Sequence, residues 1–269
     1  MAGVRVPPVL LTGGRALADL VLPRTCAGCG VPGAVLCRRC AASLTRPRLA
    51  RPRRHPPGFP PTVAAGAYAG PVRPAVLAFK EHGRAELAGP LGTALALAVA
   101  AVLTGLPEPA ARPVLLVPVP SSAAAVRRRG RDHVRELASA AAAELRAAGV
   151  PAGTARLLGR AGGRRVRDSA GLDVAERRAN LAGRFRLLPI AVADRARLVL
   201  VDDVVTSGAT LTEAARALRA ALDTPVLAAV VAATPRRPRQ PVTELSRGTF
   251  TVRGSGGSGS STDPLSGPR

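Results

Sequence analysis

Two carboxylates stand side by side at Asp202 and Asp203, at the end of the aliphatic run "RLVLV" and just ahead of the turn "TSGAT". Like charges that close repel, so the doublet calls for donors to its oxygens. Thr206, Ser207 and Thr210 bring hydroxyls into the turn, and Gly208, followed by Ala209, lets the backbone bend sharply. The segment "TLTEAARALRAAL" then reads as a helix over about 210–222. Its first N–H groups and its positive end face back at the turn, which makes 206–210 an anion site. A phosphate held there leaves an attached sugar over the strand end, where two carboxylates can accept hydrogen bonds from a vicinal diol. The signature GxxxxGK[ST] is absent, which excludes a nucleoside-triphosphate P-loop. A plain turn with a helix N-cap is the alternative reading of the same residues.

The second constellation is the set of all four cysteines, Cys26 and Cys29 followed by Cys37 and Cys40. Two Cys-x2-Cys knuckles at this separation can wrap four thiolates around one tetrahedral Zn2+. Four thiolates leave no open position for a substrate water, so the metal is structural, with a redox pair as the minor alternative. A module of this size has no core of its own, and the metal serves as one.

The elements that position these residues follow from the aliphatic pattern. "PVLLVPVP" at 113–120 and "RLVLVDD" at 197–203 are short continuous runs that suit buried parallel strands, with "ARLLGR" another strand and "PVLAAVVAAT" the last. "TVAAGAYAG" reads as a strand pair or turn. Helices are expected over "PVRPAVLAFKEHG", over 90–104, and over roughly 132–148, closed by Gly149. Strand and helix in alternation predict an α/β fold, an open, mostly parallel sheet flanked by helices, with ligands at the carboxyl ends of its strands. The expected organisation is a zinc ribbon at 16–43, a proline- and arginine-rich linker at 44–61, an α/β domain at 62–235 and a disordered tail at 236–269.

Composition bounds the partners. The 269 residues carry a formal net charge of +22, and Lys80 is the sole lysine, so the excess is arginine. Such a chain attracts polyanions without specificity, although a solvated basic surface explains the same count. Aromatic residues are only 2%, which removes the stacking platforms of a single-strand binder. The first residues, with two arginines and a short apolar patch broken by a proline pair, are not expected to act as an export signal, and the apolar run at 90–106 falls slightly short of a bilayer span. A buried helix, no membrane span and a cytoplasmic chain are the expectations.

The stretch "LVLVDDVVTSGAT" resembles the 5-phosphoribosyl 1-diphosphate (PRPP) motif of type I phosphoribosyltransferases. With the paired CxxC, "YAGPVRPAVLAFKEHG", "VPVPSS", "RRRGRDHVRELA" and "AGLDVAERRANLAGRF" in that order, the chain resembles the ComF family over about residues 16–235. The resemblance implies a type I phosphoribosyltransferase fold behind the zinc ribbon and a link to DNA uptake in competent bacteria. It implies that Asp202 and Asp203 bind the ribose hydroxyls and that Thr206, Ser207, Gly208, Ala209 and Thr210 hold the 5′-phosphate. Ser121 and Ser122 would lie at the departing diphosphate, and Arg177 and Asn180 in a hood over the acceptor. Mg2+ would accompany PRPP. The activity implied is transfer of phosphoribose to an unidentified acceptor. The alternative is a non-catalytic PRPP- or nucleotide-binding factor of DNA uptake that contacts single-stranded DNA or a helicase.

Two departures fall near the acceptor. "RGRDH" replaces the family's "RGFNQ", and Ser169 stands where a glutamine precedes Gly171. His133, at a helix start, reads as a capping or surface residue ahead of a general base.

Overall fold

Aliphatic side chains alternate along each strand of the central sheet, so both of its faces are apolar and each needs a covering layer. The computed structural model describes residues 24–52, 56–105, 112–161, 183–190, 196–222 and 224–235, all of them within one unit, Met1–Arg236. The strands are β1 (Arg48–Leu49), β2 (Thr62–Ala67), β3 (Val114–Pro118), β4 (Ala152–Thr154), β5 (Leu158–Arg160), β6 (Phe185–Leu187), β7 (Arg197–Val205) and β8 (Val226–Ala233). The helices are α1 (Arg38–Ala41), α2 (Val72–Lys80), α3 (Ala88–Leu103), α4 (Ala123–Arg129), α5 (His133–Ala147) and α6 (Ala209–Arg219).

Six strands form one sheet in the order β1-β2-β8-β7-β3-β4. All neighbours are parallel except the antiparallel edge pair β1–β2. The fold is therefore α/β with a mixed, mostly parallel sheet, as expected. β5 and β6 form a separate antiparallel pair. On one face Val199, Val201, Leu116, Ala229 and Val231 pack with Phe79, Leu95, Val99 and Leu137 from α2, α3 and α5. On the other face Leu198, Leu200, Val117 and Val230 pack with Leu211, Ala214 and Leu218 of α6 and with Leu158 and Phe185 of the small pair.

Small side chains allow the close approach that an aromatic-poor core requires. A Cβ at Gly92 of α3 would lie 2.4 Å from the Ala140 Cβ of α5, so the two helices meet at that glycine. The helical stretch Ala85–Leu103 is long and apolar enough to cross a membrane by length and composition, yet half of it is buried in the protein. Its Leu91, Leu95 and Val99 are fully buried, as the sequence led us to expect.

The stretch 44–61 differs from the expected linker. Leu44 is a core residue, Ala50 is buried, and Arg48 and Leu49 pair with Ala64 and Val63 of the sheet edge. The reason is steric: Gly66 has no side chain, and the Ser43 carbonyl sits where a Cβ would be, at 2.5 Å. The first part of the expected zinc ribbon, 16–23, and the tail expected to be disordered at 236–269 lie outside the described residues, as do Arg177 and Asn180.

Candidate functional site

The pairing of Pro118 with Val201 brings the carboxyl ends of β3 and β7 together, so the loop carrying Ser121 and Ser122 lies beside the one that follows Asp203. That is where open parallel sheets bind ligands. Asp203, on the face shared with Val199 and Val201, is only 3% exposed. Its Oδ2 meets Lys80 Nζ at 2.7 Å and His133 Nε2 at 3.0 Å, and its Oδ1 accepts the Val204 N–H at 2.7 Å. Burial alone would raise its pKa, but His133 and Lys80 outweigh burial and hold the carboxyl well below the ordinary range. Burial likewise opposes the charge on Lys80, and Asp203 reverses that effect and raises its pKa.

Asp202 differs. It is half-buried and has no ion pair among the described residues, and its Oδ1 accepts the Asp203 N–H at 2.9 Å. Burial first, then the neighbouring Asp203 carboxylate, push its pKa well up. The two acids are thus unequal. Asp203 is held by three protein donors, and Asp202 accepts one backbone N–H among the described residues.

The turn after them has the expected shape. Thr206 and Ser207 are exposed, and Gly208 has φ of 79° and is the N-cap of α6, without a side chain to cap it. Within the first turn, Ser207 Oγ accepts only a long 3.4 Å bond from the Ala209 N–H. A Cβ on Gly208 would meet Phe59 at 2.8 Å and Pro52 at 3.1 Å, so residues of the proline-rich stretch back the turn directly. In the neighbouring loop Ser122 caps α4, its Oγ accepting from the Ala125 N–H at 3.1 Å, while Ser121 stays half-buried.

Lys80 and His133 were the residues the sequence did not connect to the doublet. His133 is 3% exposed, not a capping or surface residue. The cap of α5 is Asp132, which accepts the Arg135 N–H at 3.4 Å. His133 Nδ1 has no partner among the described residues, where the ring's hydrogen bond is the one to Asp203. Arginines of "RRRGR" hold Lys80 in place. Arg131 donates to the Phe79 carbonyl at 2.9 Å, stacks over the Phe79 ring at 4.3 Å and pairs with Glu136. Arg129 pairs with Glu81 at 2.7 Å and, with Arg128 at 3.3 Å, holds that carboxyl below its ordinary range. The end of α2 is thereby fixed on both sides of Lys80. One signal existed in the sequence: a single lysine in a chain of arginines.

The four cysteine Sγ atoms lie within 4.8 Å of one another, close enough to ligate one ion. A tetrahedral zinc–thiolate site has sulfur–sulfur edges of about 3.8 Å, and Cys29 and Cys37 are 3.7 Å apart. The Gly28 and Cys37 N–H groups point at Cys26 Sγ at 3.4 and 3.3 Å. Against burial, these bonds bring the Cys26 thiol down to about 6, so it is poised as a thiolate. A Cβ on Gly28 would sit 2.9 Å from Cys40 Sγ and 3.0 Å from the Pro71 carbonyl, so this glycine is needed where the knuckle meets the start of α2. The residues fit a structural zinc.

No protein-family model matches the chain, and no curated protein matches it.

Proposed function

We propose that the chain is a ComF-like phosphoribosyltransferase with a type I phosphoribosyltransferase fold, binding PRPP and transferring its phosphoribose to an acceptor. The observation that carries the reading is the junction of β7 and α6. There a half-exposed Asp202 precedes an uncapped, glycine-turned helix start, beside the carboxyl end of β3. In this reading residues 206–210 hold the 5′-phosphate, and Asp202 accepts from the ribose hydroxyls. Asp203 orients the strand end through Lys80 and His133, and Ser121 with its loop meets the diphosphate. Arg177 and Asn180 belong to the acceptor hood.

The acceptor's lone pair forms a bond to ribose C1, and the bond from C1 to diphosphate breaks with its electrons leaving on diphosphate. The acceptor's proton passes to water. Catalysis then rests on positioning and on charge neutralisation. Mg2+ would supply part of that neutralisation, and Asp202, the carboxylate of the doublet with no ion pair among the described residues, is the residue that would hold it. Zinc holds the N-terminal knuckle, and four thiols without disulfides suit the cytoplasm.

Titration calorimetry with PRPP and Mg2+, followed by pyrophosphate release with candidate acceptors, tests the reading. Binding that Asp202→Asn removes supports it. The basic surface favours one second reading, a PRPP-binding accessory factor that contacts single-stranded DNA or a helicase during DNA uptake. That reading predicts a steep salt dependence of DNA binding unchanged by Asp202→Asn, and no pyrophosphate release.

A further inference from the structure

A cavity of about 400 Å3 opens beside the loop Pro118–Ser121, between the α4–α5 corner and β5. Arg127, Arg135, Arg156 and Arg160 line it, against a single acid, Asp132. Asp132 is engaged as the cap of α5. None of the four arginines makes an ion pair among the described residues, whereas Arg84, Arg129, Arg131 and Arg216 each have a glutamate. Arg160 is half-buried, donates to the Pro120 carbonyl at 3.3 Å and lies 5.7 Å from the Phe185 ring centre. Burial and nearby Arg184 both disfavour its charge. Four guanidinium groups without an ion pair around one concavity offer an oxyanion paired N–H donors. Val119, Val126 and Leu158 add an apolar wall. The volume is at the small end of ligand pockets, enough for a compact molecule.

We propose that this cavity is the acceptor subsite and that the acceptor is a small organic anion, a carboxylate or a phosphate ester. Its charged group meets the four arginines, and its body rests on Val119, Val126 and Leu158. The name acceptor rests on the phosphoribosyl-transfer reading, because the cavity shares Pro118–Ser121 with the loop assigned to the diphosphate. The anion site itself does not depend on that reading.

The test is calorimetry on the full zinc-loaded chain with phenyl phosphate and benzoate as probes, which separate the two kinds of anion, each added with and without saturating PRPP and Mg2+. The expected result is that at least one probe binds the PRPP-loaded protein. The double variant Arg127→Gln/Arg156→Gln, both exposed positions, should weaken it at least tenfold without moving the unfolding midpoint. Displacement of the probe by PRPP or by inorganic pyrophosphate would overturn the proposal, because the cavity would then be the diphosphate's own site. Unchanged affinity in the variant overturns it too, as does binding of a thymidine dodecanucleotide with neither small probe. Probe binding that the variant loses, in a protein with no affinity for PRPP, overturns the acceptor assignment and the transfer reading while leaving the anion site standing.

Discussion

At Asp203 three donors converge on one carboxylate, and at Asp202 a neighbouring N–H is the one donor among the described residues; the same residue type therefore has unequal surroundings at adjacent positions. Replacing Asp203 by Asn leaves Lys80 and His133 facing a neutral amide, and breaking such a buried pair costs about 3 kcal/mol, readable by urea unfolding. Asp202→Asn should do the reverse, raising stability at neutral pH by about 1 kcal/mol while removing PRPP affinity, the trade-off expected where a binding site holds strain. The pH dependence has two signs. Asp203 has a lowered pKa, so its stabilisation is present above the ordinary carboxylate range and is lost as pH falls through the lowered value. Asp202 has a raised pKa, so stability is fullest below about pH 4 and falls as pH climbs toward that raised value. Unfolding midpoints of the wild type and Asp202→Asn should therefore separate as pH rises above about 4. His133 was illegible in sequence because its partner lies 70 positions away and nothing local marks it as buried.

The elements read well where the aliphatic pattern is long and poorly where it is short. β3, β7, β8 and the helices α2, α3, α5 and α6 follow from continuous runs or helical spacing in "PVLLVPVP", "RLVLVDD" and their neighbours. β1 has two residues and β4 and β6 three each, and their pairing depends on what lies beside them. The proline-rich stretch was misread for that reason: Leu44, Ala50 and Phe59 pack inward because the sheet edge and Gly208 accept them. Two predictions belong here. Gly208→Ala forces a positive φ on alanine and presses its methyl on Phe59, costing about 2 kcal/mol and losing PRPP affinity; thermal melts with and without PRPP measure both. Cys29→Ser should lower bound zinc from one per chain to none. Because Leu44, just past the knuckle, is in the core, the melting temperature should also fall, by roughly 5 °C or more; metal analysis and calorimetry check both.

Among the described residues of the α/β unit, two groups of arginines differ in their partners. One set, Arg129 and Arg131 among them, is paired with glutamates and fixes the end of α2 under Asp203. The other, around the cavity beside β3, has no ion pair with a carboxylate among the described residues. Net charge alone could not separate these sets, since +22 is equally the signature of a solvated surface. Ligand choice therefore belongs to geometry, and long-range attraction of polyanions to the charge, with the salt dependence that follows. The most direct test is titration of PRPP with Mg2+ into the wild type and into Asp202→Asn at neutral pH. Saturable one-to-one binding to the wild type, weakened at least a hundredfold in a variant that remains folded, is the expected outcome. No heat of binding to the folded wild type, or equal affinity in the two proteins, would contradict the reading of the β7–α6 junction as a phosphoribosyl site.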